Sequence, residues 1–268
     1  MVASPTSACW HWSRRSITGT PQGGVLSPLL ANIALSVLDE HADGAWQAMG
    51  ASAPAIGGAP APPATWRLVR YADDVVVMVA GTRTHAEQLR ADIAAVLARM
   101  GLRLSDGKTR IVHLDEGFDF LGFRIQRQPK RGTSKHVVYT YPSKKAVAAV
   151  KATVRALTTG DTNRPLAALC HQLGLVLRGW GSYFRHGVSK ATVDYLREFT
   201  WRRVVCWLRH KHPHATWRWL RRRHLPGWWP TDGAVVLFDL GKMAVTRSRY
   251  RATRIPTPWT ATSSRTVA

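Results

Sequence analysis

Two adjacent carboxylates, Asp73 and Asp74, stand in the stretch Arg70-Tyr71-Ala72-Asp73-Asp74 between two short apolar runs, Trp66-Arg67-Leu68-Val69 and Val75-Val76-Val77-Met78-Val79. Both runs have the length, β-branching and punctuation of strands, which predicts a hairpin with the acids at its tip. Carboxylates beside a core cost free energy unless a cation or hydrogen bonds compensate. The pair admits two readings. One is a solvated turn; the other is a Mg²⁺ site, because Mg²⁺ takes one or two carboxylates together with substrate phosphate oxygens. Neighbours on an extended segment point to opposite faces, so the two acids cannot both bridge a pair of ions in the same way.

The elements that would position this pair can be read outward from it. Residues 1–18 lack clear periodicity and are expected to be poorly structured. Gly19-Thr20-Pro21-Gln22-Gly23-Gly24 is a loop of turn formers that lets a ligand approach the backbone. Ser27-Pro28 then supplies an N-cap and a first-turn proline for a helix to about Asp43. Leu29, Leu30, Ile33, Val37 and Leu38 form its expected apolar face. Residues 50–64, rich in Ala, Pro and Gly, read as a flexible connection. After the hairpin, Thr84-His85-Ala86-Glu87 reads as a capping box. It opens a helix that turns Leu89, Ile93, Val96, Leu97 and Met100 to one side and stops at Gly101. Strands are expected at 110–114, 118–125 and 137–141, giving an α+β class. Past Pro142, helical spacing runs through 143–158, 163–185 and 189–212, with Ser143 and Ser189 as N-caps. Leu166, Leu169, Leu173, Val176, Leu177 and Trp180 make the middle helix's apolar stripe. A last strand is expected at 234–240, with fraying after about Pro256.

Charge divides the chain at about the same place. The 38 Lys and Arg against 16 acids give a net charge of +22. Residues 1–128 are nearly neutral, with 12 basic and 11 acidic side chains, whereas 129–268 hold 26 basic and 5 acidic ones and eight of the twelve Trp. A basic surface rich in Arg and aromatics is the footprint of a polyanion binder, most often nucleic acid. Arg178, Trp180, Tyr183, Arg185 and Lys190 mix cations with aromatics in a way that suits RNA, although Trp180 also falls on the apolar stripe. Arg202-Arg203, Arg209-His210-Lys211-His212 and Arg221-Arg222-Arg223 are candidate phosphate contacts. His210, His212 and His214 lack neighbouring Cys or acids, so zinc is not expected. Three scattered cysteines cannot form a disulfide framework, which favours a reducing, cytoplasmic setting. Nothing at the N-terminus has the form of a signal peptide, and no apolar run approaches membrane-spanning length.

Several stretches, in order, resemble one family. Gly19 through Ile33 is similar to the Pro-Gln-Gly motif of group II intron reverse transcriptases, and Arg70-Tyr71-Ala72-Asp73-Asp74 to their polymerase signature. Gly101-Leu102-Arg103-Leu104-Ser105 through Lys108-Thr109 and Phe118-Asp119-Phe120-Leu121-Gly122-Phe123 resemble the next two palm blocks. Leu177-Arg178-Gly179-Trp180-Gly181-Ser182-Tyr183-Phe184-Arg185-His186-Gly187 resembles the maturase-specific region. The resemblance spans roughly 19–255.

It implies part of a right-hand polymerase palm over 19–128, a helical thumb/maturase domain over 129–256, and a disordered tail over 257–268. It further implies an RNA-directed DNA polymerase using two Mg²⁺ ions, dNTPs, an RNA template and a DNA primer, and binding of intron RNA to aid its splicing. Asp73 becomes the principal metal ligand and Asp74 the auxiliary. Gln22, Gly23, Tyr71 and Lys108 lie toward nucleotide and template, and Leu121 and Gly122 form the primer-grip turn. The family's third carboxylate lies on a palm strand upstream of the Pro-Gln-Gly loop. Residues 1–38 contain no Asp or Glu. The expectation is therefore a chain without that strand or the fingers, inactive as a polymerase alone unless a separately encoded N-terminal fragment supplies them. Alternatives are a non-catalytic RNA-binding maturase or an inert remnant. No nuclease module is expected after the maturase region.

Overall fold

The computed structural model describes residues 6–11, 27–50, 64–105, 107, 109–130 and 132–246, with backbone only at 6–11, 27–28 and 49–50. The described residues fall into two compact units, one of those up to 121 together with 126–136, the other of 122–125 and 137–246.

The first unit is built on β2 (Thr65–Tyr71) and β3 (Asp74–Ala80), the expected hairpin. They join β1 (Thr6–His11) and β4 (Thr109–His113) in an antiparallel sheet of order β2-β3-β1-β4. Strand β1 corrects, for residues 6–11, the expectation that residues 1–18 are poorly structured; the rest of that stretch lies outside the described residues. Its six residues, Thr-Ser-Ala-Cys-Trp-His, are too short and too mixed to show a period. They pair because β3 and β4 each need a partner for an otherwise open edge.

Two helices pack on the sheet, α1 (Ser27–Gly50) and α2 (Arg83–Ala98). Val75, Val77 and Val79, alternate positions of β3, meet Leu35 and Leu38 of α1 and Leu89, Ile93, Val96 and Leu97 of α2. The α2 stripe is as expected, with Met100 packed against it. Its cap lies two residues earlier than read: Thr82 Oγ1 accepts from His85 N at 3.4 Å, and His85 Nδ1 accepts from Thr82 N at 3.2 Å. A histidine thus fills the role ordinarily taken by Glu or Gln. Gly101, at φ +71°, ends the helix as expected, with Leu102 N–H reaching Leu97 O at 3.0 Å. The expected face of α1 is corrected. Leu38 is buried, but Leu29, Leu30, Ile33 and Val37 are exposed while Leu35 and Ala42 turn inward. The helix is apolar on more than one side, and periodicity alone could not choose which side meets the sheet.

The expected strand at 118–125 is two strands, β5 (Phe118–Phe120) and β6 (Phe123–Pro129), joined at Leu121-Gly122. With β7 (His136–Pro142) they form a sheet of order β5-β6-β7.

The second unit holds α3 (Lys144–Thr159), α4 (Leu166–Phe184), α5 (Lys190–Lys211) and α6 (Trp217–His224). Leu166, Leu169, Leu173 and Leu177 are buried as the stripe requires, with Val176 and Trp180 packed alongside. Ser143 caps α3, its hydroxyl accepting from Ala146 N at 3.2 Å. Ser189 sits at the head of α5 without a side-chain cap bond. The strand expected at 234–240 shrinks to β9 (Val235–Val236), paired with β8 (Thr231–Asp232). Among the described residues, no helix is long and apolar enough to cross a membrane.

Candidate functional site

Tyr71 pairs with Asp74 at the end of the β2–β3 ladder, so Ala72 and Asp73 alone make the turn. Ala72 is held at φ +52°, a region that L residues avoid at a cost of about 1–2 kcal/mol. Arg70 supplies the restraint. Its guanidinium makes a fork to Asp39 of α1, with Nε at 3.0 Å from each carboxylate oxygen and Nη2 on Oδ2. Nη1 donates to Asn32 Oδ1 at 3.0 Å and to the Ala72 carbonyl at 2.9 Å. The Arg70 and Asp39 side chains are only 15% and 18% exposed, which strengthens the pairing relative to a surface one. One side chain of the signature thus ties the turn to α1. Sequence reading missed this role for Arg70, Asn32 and Asp39.

Asp73 and Asp74 are half-buried. Directly across from Asp74 in the neighbouring strand lies His11 of β1. Strand β1 carries no acid, and among the described residues no three His, Cys, Asp or Glu gather as a metal set. The two carboxylates match what one Mg²⁺ takes from protein when phosphates complete its shell. They do not match a bridged pair of ions, which needs carboxylates from more than one direction. Tyr71 is 65% exposed beside the turn. Gln22, Gly23 and Lys108 lie outside the described residues.

Leu121 and Gly122, at φ +48° and +77°, form the two-residue turn between β5 and β6. Positive φ at both centres is the geometry that follows the twist of a hairpin, and leucine is an unusual first residue for it. A Cβ on Gly122 would come 3.3 Å from Phe184 Cζ.

In the second unit the candidate RNA contacts separate by what already holds them. Lys211 Nζ donates to the carbonyls of Thr162, Asn163 and Arg164 at 2.7, 3.3 and 2.9 Å, which uses its three donors to staple that loop. Arg203 clips the end of α3 through Thr158 and Thr159 hydroxyls at 2.9 and 2.8 Å. Arg185, half-buried, lies against Thr246. Lys190 and Arg202 make i,i+4 pairs with Asp194 and Glu198 at 2.9 and 2.6 Å, both open to water. Arg178 lies over Phe238, and Tyr183 packs its ring against Phe123 and Phe184. Arg209, Arg222 and Arg223 are exposed, and Arg221 lies over Trp228 at 4.6 Å. Helix α6 buries only Leu220 and His224, presenting two Trp and four Arg outward. That helix went unread, because its Trp-Arg-Trp-Leu-Arg-Arg-Arg run shows basic and aromatic composition but no apolar period.

His210 and His214 are exposed, while His212 stacks on buried His224 at 5.4 Å. Burial, then the neighbouring His212, pushes His224 below its usual pKa. Cys170 is buried, and burial together with Asp232 pushes its thiol up to about 12, so it is no nucleophile.

Residues 9–125 match the family described as reverse transcriptase (RNA-dependent DNA polymerase), a match that begins inside β1. Residues 147–225 match the group II intron, maturase-specific domain, a stretch that begins inside α3 and runs through α6. The chain is also similar to Protein YkfC of Escherichia coli (strain K12), at 36% identity over 148 residues, 50% of this chain and 39% of that protein. The two matches, in this order, support a group II intron reverse transcriptase/maturase, with the hairpin of paired acids in the first stretch and the basic helical unit in the second.

Proposed function

We propose that the chain is the RNA-binding and palm portion of a group II intron reverse transcriptase/maturase. The observation that carries this reading is the clamped two-residue turn, which places Asp73 and Asp74 at the end of an antiparallel sheet. Asp73 and Asp74 would hold Mg²⁺ together with the phosphates of an incoming dNTP, with Arg70 fixing the turn that carries them. When bound there, Mg²⁺ supplies charge neutralisation at the leaving pyrophosphate and activation of the primer 3′-oxygen. Tyr71, Gln22, Gly23 and Lys108 border the nucleotide and template, and the Leu121-Gly122 turn grips the primer. The basic helical unit holds structured intron RNA, with Arg178, Arg209 and Arg221 to Arg223 on phosphates and Tyr183 against bases.

Strand β1 precedes the Pro-Gln-Gly loop and pairs with the strand that carries Asp74, and it offers no carboxylate. In these 268 residues the chemistry therefore stops at two ligands on adjacent positions. A misplacement of about 1 Å alone costs on the order of 10²-fold in rate. Primer extension on an RNA template with this polypeptide is expected to give no product, while structured RNA binds in a salt-dependent manner. Robust incorporation abolished by Asp73→Ala would overturn the inactive reading; failure to bind RNA at low salt would overturn the maturase reading. The second reading, a splicing helper without polymerase chemistry, is favoured if Asp73→Ala/Asp74→Ala leaves RNA binding unchanged.

A further inference from the structure

One exposed tryptophan is held in a conformation its side chain does not favour. Trp228 stands at φ +65°, directly after Gly227 at φ +60°, yet is 49% exposed. A bulky residue in the left-handed region is an outlier that the surroundings must enforce. They do so here: Trp228 N–H bonds Leu225 O at 3.0 Å, and the Trp201 indole N–H donates to the Trp228 carbonyl at 2.7 Å. The Trp229 indole N–H is likewise spent on Leu237 O at 2.7 Å. Trp201 and Trp229 thus offer ring surface with their own donors already used. With Trp228, Arg197, Asp194 and Glu198 they line a cleft of about 370 Å³. Arg221 lies over Trp228 at 4.6 Å, and Trp217 packs 6.2 Å away.

The acids are what make this cleft unusual. Residues 129–268 hold only five, and two of them line it. A third, Asp239, anchors Arg197 at 2.7 Å, leaving that guanidinium 4.7 Å from the Trp229 ring centre. Aromatic faces with carboxylate acceptors suit a base that presents paired donors on its Watson–Crick edge. Guanine alone does so, through N1–H and the 2-amino group; adenine would bring its N1 lone pair against the carboxylate. Arg202 and Lys190, partners of Glu198 and Asp194, are exposed.

We propose that this cleft is a binding subsite for one unpaired guanine of an RNA, stacked on Trp228 and read by Glu198 and Asp194. The proposal rests on the RNA-binding reading above and adds a base and a place to it. The test uses fluorescence anisotropy with the full chain and 12-nucleotide oligouridylates carrying at their centre U, G, A or inosine. The guanine oligonucleotide is expected to bind about tenfold more tightly than oligouridylate, the scale of discrimination by one bidentate base-edge contact. Inosine, lacking the 2-amino group, falls between guanine and uridine. Trp228→Gly keeps the left-handed backbone without strain and removes the ring; it is expected to weaken every oligonucleotide and to abolish the advantage of guanine over uridine. Glu198→Gln is expected to erase the preference of guanine over adenine. Equal affinity for all four oligonucleotides, or a guanine gain that survives Trp228→Gly, overturns the subsite while leaving general RNA binding standing. Absence of any oligonucleotide binding at low salt overturns both.

Discussion

At the scale of single residues, Arg70 does more for the acidic turn than the acids' own neighbours do. It faces Asp39, Asn32 and the Ala72 carbonyl at once, a set that a planar fork can serve and a point charge cannot. Arg70→Lys is therefore expected to behave much like Arg70→Ala, each costing about 2 kcal/mol, because Asp39 is left half-buried and unpaired. Urea unfolding of the two variants checks this, and Asp39→Ala should lose its own effect in the Arg70→Ala background. The signature's acids were legible from type and spacing; the clamp was not, because it joins residues some thirty positions apart. His224 carries a different prediction. Its folded pKa lies below the ordinary 6.5, so the unfolded chain binds the proton more readily. Its contribution to stability is fully present above that value and is lost as pH falls through it toward the folded pKa. The thermal midpoint is expected to decline from about pH 7.5 to pH 5, with a shallower decline in His224→Phe.

At the scale of elements, the turns decided where reading along the chain succeeded. Stretches with one strong period came through: the α2 face, the α4 stripe and the β2–β3 hairpin each match the residues expected of them. The expected strand at 118–125 failed because Leu121 gives no sign of a turn, and only Gly122 marks the break. The preference of α1 for its Leu35–Leu38 side is a tertiary choice that a helix with apolar residues on several sides leaves open. Helix α6 escaped because eight residues hold just two buried positions, too few to show a period. The Leu121-Gly122 turn supports a direct test. Gly122→Ala adds a methyl at φ +77° and brings it 3.3 Å from the Phe184 ring. The backbone term alone is about 1–2 kcal/mol, so a fall of that size or more in unfolding free energy is expected. Gly187→Ala should cost at least as much, since its Cβ would stand 2.9 Å from the Thr140 carbonyl oxygen.

At the scale of the molecule, one half is nearly neutral and the other carries almost the whole net charge of +22. This asymmetry predicts RNA affinity that falls linearly in logarithm with salt. Replacing Arg221, Arg222 and Arg223 together by Gln is expected to flatten that slope by about one unit for each phosphate left without its arginine. Affinity measured across a salt series with one RNA checks it, and an unchanged slope would remove α6 from the binding face. The sheet order carries a consequence of another kind. Strand β1 leaves the ribosome before any of its partners, yet its place is between β3 and β4: Ser7 must meet both Met78 and Val112. At roughly 5–20 residues per second, β1 waits several seconds for the strands that will flank it. Such distant pairing makes for slow folding, because long loops must close before the contacts repay them. Refolding of the palm unit is expected to lag well behind that of the helical one, and a nascent chain arrested before β4 emerges would be left with the outer edge of β1 as an open template for aggregation.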